Sequence, residues 1–119
     1  ITTFGGHPVS AAAALACVTE LTENTEIIES IYEKSELFIS LLQQHPKVKS
    51  IRGRGLFLAV ELENSNMVHS LISKGLELGF LIDFFLFCDT HFRVAPPLII
   101  TKSQIVESCN LICKALDEL

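Results

Sequence analysis

The chain has 119 residues, 49% apolar and 19% charged, with a net charge of −5 at pH 7. That length supports one domain with a core of its own, and that composition excludes a disordered or fibrous chain. The acidic balance, with no run of lysine or arginine, argues against nucleic acid as a partner.

The apolar share is high for so small a chain and points to a surface buried against something else. Cysteines stand at 17, 88, 109 and 113 without a Cys-x-x-Cys pair, which favours a reducing compartment. The apolar run over 8–18 is about half the length needed to span a bilayer, and the run over 80–87 is interrupted by Asp83. No membrane association and no signal peptide are therefore read. The chain opens on Ile1 inside what reads as a motif, so a fragment of a longer protein is expected.

The opening stretch Thr2-Thr3-Phe4-Gly5-Gly6-His7-Pro8 delivers two hydroxyls, an aromatic ring and a glycine pair to the start of a helix over 8–23. Pro8 suits the first helical position, where its missing N–H costs nothing. The first N–H groups of a helix lack internal partners and carry partial positive charge, so anions settle there. Thr2 and Thr3 add hydroxyl donors. A cap and loop without a ligand is the alternative. The helix that follows is alanine-rich and apolar on nearly every side, the pattern of a buried helix.

Asn24 or Thr25 caps a second helix over 26–44, whose stripe is Ile27, Ile28, Ile31, Phe38, Leu41 and Leu42. His45-Pro46 ends it. A short strand over 48–52 precedes a break at Gly53-Arg54-Gly55. Residues 56–62 form the clearest strand, with Leu56, Leu58, Val60 and Leu62 on one face. Asn64-Ser65 caps a helix reaching Leu78 that buries Val68, Leu71 and Ile72, and Gly79 stops it. Residues 80–82 and 84–87 suggest another strand, Asp89-Thr90 a turn, and 91–95 a further strand closed by Pro96-Pro97. Thr101 with Gln104 makes a capping box for a last helix to Leu116, burying Ile105, Cys109, Ile112 and Leu116. The pattern predicts an α+β domain, a small mixed or antiparallel sheet with helices on one face.

Most chemical constellations are missing. Histidines at 7, 45, 69 and 91 lack metal-ligand spacing, and neither a nucleophile elbow nor a phosphate loop occurs. Arg52-Gly53-Arg54-Gly55 reads as a turn rather than an RNA-binding tract. Arg93 stands out inside an apolar strand. Its planar fork suits a carboxylate held by two hydrogen bonds, a ligand's or that of a structural salt bridge.

Three blocks occur in order: Thr2-Thr3-Phe4-Gly5-Gly6-His7-Pro8, then Ile51-Arg52-Gly53-Arg54-Gly55-Leu56, then Phe92-Arg93-Val94-Ala95-Pro96-Pro97-Leu98-Ile99-Ile100-Thr101. Together they resemble the C-terminal small domain of the class III pyridoxal-phosphate-dependent aminotransferases. That group includes the acetylornithine, ornithine and 4-aminobutyrate enzymes and has the aspartate aminotransferase-like fold (fold type I).

The resemblance implies that residues 1–119 are that small domain, with the cofactor-binding large domain upstream. It implies that Thr3, with Thr2 as helper, binds the phosphate of pyridoxal 5′-phosphate held by the other subunit of a homodimer. Arg93 would meet the substrate carboxylate, and the Arg-Gly-x-Gly block would have no catalytic role. The Schiff-base lysine and the acid facing the pyridine nitrogen would lie in the large domain, so no catalytic residue is expected here and the chain alone is expected to be inactive. The parent is expected in the cytoplasm, moving an amino group from an amino acid or amine to a 2-oxo acid. An aminomutase, racemase or decarboxylase on the same fold, and a non-catalytic dimerisation module, are the alternatives. Two departures stand out. Position 7 is His where many relatives have Asn, and the segment 79–93, with Phe84, Phe85, Phe87 and Cys88, is a candidate lining for a pocket that sets substrate choice.

Overall fold

The computed structural model describes residue 3 and residues 5–119. Its elements are α1 (Pro8–Glu23), α2 (Thr25–Glu29), α3 (Ile31–Leu42), β1 (Ser50–Arg54), β2 (Phe57–Glu61), α4 (Ser65–Leu78), β3 (Asp83–Phe85), β4 (Cys88–Val94) and α5 (Lys102–Asp117). They fall into two units, Ile1–Ser30 and Ile31–Leu119.

The second unit is built on the alternation in and around β2. Leu56, Leu58, Val60 and Leu62 are all buried, as the period of two requires of one strand face. β2 pairs antiparallel with β4 in the register Leu58↔Val94 and Val60↔Phe92, so four buried side chains lie side by side. β1 joins the other edge of β2 and β3 the other edge of β4, giving an antiparallel sheet of order β1-β2-β4-β3. Phe38 and Leu42 of α3, Val68 and Leu71 of α4, and Ile105, Cys109, Ile112 and Leu116 of α5 complete one core with that sheet face. This is the expected α+β arrangement.

The helix ends follow their local chemistry. Asn64 Oδ1 accepts from the Met67 N–H at 3.0 Å. Thr101 and Gln104 close a reciprocal capping box, with the Thr101 N–H donating to Gln104 Oε1 at 2.9 Å. Gly79 takes φ +86°, and the Phe80 N–H returns to the Gly75 carbonyl at 2.9 Å. That closure occupies the backbone just where a strand over 80–82 was expected, and β3 starts only at Asp83.

Other boundaries also moved. The helix expected over 26–44 is two helices that break at Ser30, whose hydroxyl donates to the Ile27 carbonyl at 2.8 Å and competes with the backbone ladder. Phe38 and Leu42 are buried as expected, Ser35 joins them, and Ile28 is exposed. The break expected at Gly53-Arg54-Gly55 is mostly strand, with the turn at Gly55-Leu56. Gly53 has φ +151°, and a Cβ there would sit 2.2 Å from the Phe57 carbonyl oxygen, so β1 approaches β2 more closely than a side chain allows. The turn expected at Asp89-Thr90 lies at Leu86-Phe87 instead, because β3 and β4 pair through Phe84↔Phe92 and Phe85↔Cys88. In the first unit, α1 has no buried residue despite its apolar surface.

Phe92 is fully buried at the centre of the sheet. Phe92→Ala is expected to cost about 3–5 kcal/mol in urea unfolding, from lost transfer energy and the cavity left behind. Thr101→Ala, which removes only a helix cap, is expected to cost about 1 kcal/mol in the same measurement.

Candidate functional site

The β4 alternation that turns Phe92 and Val94 into the core turns Arg93 to the opposite sheet face, between Ala59 of β2 and Asp83 of β3. Arg93 Nη2 donates to Asp83 Oδ2 at 2.8 Å, with the two side chains 36% and 57% exposed. The other Asp83 oxygen, Oδ1, accepts from the Phe84 N–H at 2.8 Å. The guanidinium carbon also stands 5.9 Å from the centre of the Phe85 ring, within cation–π range.

Both Asp83 oxygens are therefore engaged, while the Arg93 fork uses one Nη on this carboxylate. A guanidinium carries five N–H donors, so the fork retains capacity for a second carboxylate. Exposed as it is, the pair itself contributes on the order of 0–1 kcal/mol. Arg93 also borders a hollow of about 310 Å³ lined with Phe80, Leu81, Ile82, Ala95 and Pro96. Sequence reasoning missed Asp83 as the partner, although its place inside the apolar run 80–87 was the available signal.

Thr3 lies exposed in the turn ahead of α1, and Thr2 lies outside the described residues. Gly6 takes φ +82° there, and His7 is the N-cap with no side-chain hydrogen bond to the helix. Pro8 occupies the first turn as expected. An uncapped first turn offers the N–H donors a phosphate needs, and Thr3 adds a hydroxyl ahead of it in sequence. Thr3 belongs to the first unit and Arg93 to the second.

Phe85, Leu86, Phe87 and Cys88 line a cavity of about 400 Å³ with Phe57 and Ala59. Phe57 and Phe85 meet edge-to-face at 5.8 Å between ring centres. At the far end of the same strands Ser50 donates to Glu61 Oε2 at 2.5 Å, and this bond leads the causes that hold the Glu61 carboxyl below its ordinary range.

Two further groups are structural. Burial pushes the Cys109 thiol up to about 12, with Cys113 adding to it. Hydrogen bonds to Glu118 and then Glu77 raise Lys74 to about 12. Both hold their proton more tightly folded than unfolded, so the stability they contribute is full below the ordinary values of 9.0 and 10.5 and is lost as pH rises toward about 12. Urea midpoints measured between about pH 8 and pH 11 are expected to fall with rising pH, and to fall less in Cys109→Ala.

The Aminotransferase class-III family matches residues 1–116. An acetylornithine aminotransferase of Methanocaldococcus jannaschii is 38% identical, over 99% of this chain and 28% of that protein. An ornithine aminotransferase of Staphylococcus carnosus is 37% identical, over 94% of this chain and 28% of that protein. Among solved structures, a Bacillus anthracis aminotransferase superposes with a TM-score of 0.82 at 27% identity, covering 100% of this chain and 30% of that one. The chain thus spans 28% of the length of the two relatives. With a match running over residues 1–116 of 119, the chain belongs to the class-III aminotransferase family.

Proposed function

We propose that this chain is the C-terminal small domain of a homodimeric, pyridoxal 5′-phosphate-dependent aminotransferase that acts in the cytoplasm. The observation that carries this reading is Arg93, a half-exposed guanidinium set on the open sheet face of a class-III family domain. Its substrates are an amino acid or amine as donor and a 2-oxo acid as acceptor.

Within that enzyme Arg93 binds the substrate carboxylate through the donors that Asp83 leaves unused. Asp83, anchored by the Phe84 N–H, keeps the guanidinium plane oriented while it does so. The Thr3 hydroxyl and the uncapped N–H groups at the start of α1 hold the cofactor phosphate of the partner subunit, with Thr2 assisting. The donor set fits a phosphate. When bound, pyridoxal 5′-phosphate supplies the electron sink for amino-group transfer. The lysine that would link to it belongs to the large domain, so the 119-residue chain carries binding groups and not the reacting one.

Three results test this. In the full-length protein, Arg93→Ala is expected to raise KM for the carboxylate substrate by about ten- to a hundredfold, as loss of a charge-assisted pair does. An unchanged KM would make Asp83–Arg93 a structural pair only. Thr3→Ala is expected to weaken cofactor retention by about tenfold in equilibrium dialysis, and unchanged retention would remove Thr3 from the phosphate site. The purified 119-residue chain is expected to transfer no amino group to 2-oxoglutarate.

A further inference from the structure

In the segment 79–93 the second unit holds a cluster around Cys88 to which the aminotransferase reading gives no chemical step. Cys88 Sγ lies 3.1 Å from His91 Nδ1, and Arg52 Nη2 donates to the same sulfur at 3.4 Å. Thr90 Oγ1 stands 2.9 Å from that same Nδ1. His91 is only 5% exposed, so its imidazole is held in place rather than free to swing away. Across the β2–β4 pair Glu61 stands opposite His91. The hydrogen bond from the Ser50 hydroxyl, the leading cause, keeps Glu61 below the usual carboxylate range. A thiol and a buried imidazole thus stand within hydrogen-bond reach of each other, with a guanidinium against the sulfur. A thiol within hydrogen-bond reach of an imidazole is the pairing of nucleophile and base by which a thiol is activated.

The sulfur also has a place to receive a reagent. Cys88 lines the cavity of about 400 Å³ whose other walls include Phe57, Ala59, Phe85 and Phe87. That volume is within the range of small-molecule sites, and the wall is aromatic and aliphatic. Cys109 makes the contrast. It sits 1% exposed in the core among apolar side chains, and burial opposes its ionisation.

We propose that Cys88 is a covalent modification site that captures apolar α,β-unsaturated carbonyl compounds. His91 Nδ1 takes the thiol proton as the sulfur lone pair forms a bond to the β-carbon. The π electrons of the carbon–carbon double bond move to the α-carbon and its carbonyl, and the proton held by His91 passes to the α-carbon. One C–S bond and one C–H bond form, one S–H bond and one π bond break, and nothing is oxidised or reduced. Arg52 faces the sulfur while it carries negative charge, and the aromatic wall holds the apolar tail of the reagent.

The test uses the full-length native protein, trans-2-nonenal as reagent, and peptide mass mapping of adducts with time. Adduct at Cys88 is expected to form about tenfold or more faster than at Cys113, and crotonaldehyde, without the apolar tail, is expected to react more slowly than nonenal at Cys88. His91→Gln is expected to slow the Cys88 reaction by about tenfold or more with the far-UV circular dichroism unchanged. Should that variant misfold, the exposed Arg52→Gln serves in its place, with a several-fold slowing expected. Absence of a Cys88 adduct in the native protein would overturn the proposal. So would a Cys88 rate no greater than that of the urea-unfolded chain, or a rate untouched in whichever folded variant is used.

Discussion

The register between β2 and β4 is the constraint on which the second unit depends. Leu58 against Val94 and Val60 against Phe92 place four buried side chains on one sheet face, against the apolar stripes of α3, α4 and α5. A slip of one residue would turn every one of them to the other face, so the register carries the full hydrophobic driving force of the core. The same period of two leaves no choice about what the other face presents. Arg93 and Ala59 must stand there because their neighbours are buried.

The chemistry of the chain collects on that second face and at its ends. β3 brings Asp83 against Arg93, β1 brings Arg52 beside Cys88, and the side chains of Phe57 and Phe85 meet between them. The polar contacts among these groups contribute little to stability, because they are partly exposed and ion pairs in such places are weak. They are held by a core that lies on the far side of the same strands. The scaffold and the site therefore use alternate residues of the same segments, which lets either change with little effect on the other.

A guanidinium with unused donors beside an apolar hollow has the chemistry of a carboxylate site, and the uncapped start of α1 with Thr3 has that of a phosphate site. The Cys88 cavity adjoins the Arg93 site through Phe85, which contacts the guanidinium and lines the cavity. The Cys88–His91 pair draws on a different property of the same hairpin, the nearness of a buried imidazole to a thiol that lines an aromatic cavity.

Much of this was legible in the residues. The alternation through Leu56–Leu62, the Thr101–Gln104 capping box, the Gly79 stop and the isolation of Arg93 in an apolar strand are local signals. Each is set by side-chain period or by hydrogen bonds within a few residues, so the chain order alone determined them, along with the three blocks that mark the family. Tertiary structure decided the rest. The turn at Leu86-Phe87 and the pairing of Arg93 with Asp83 ten residues earlier depend on which segments meet. The exposed apolar turn is the clearest case. Asp89-Thr90 has the better turn chemistry, yet it lies within β4 because strand pairing with β2 and β3 outweighs a local preference worth a fraction of that energy.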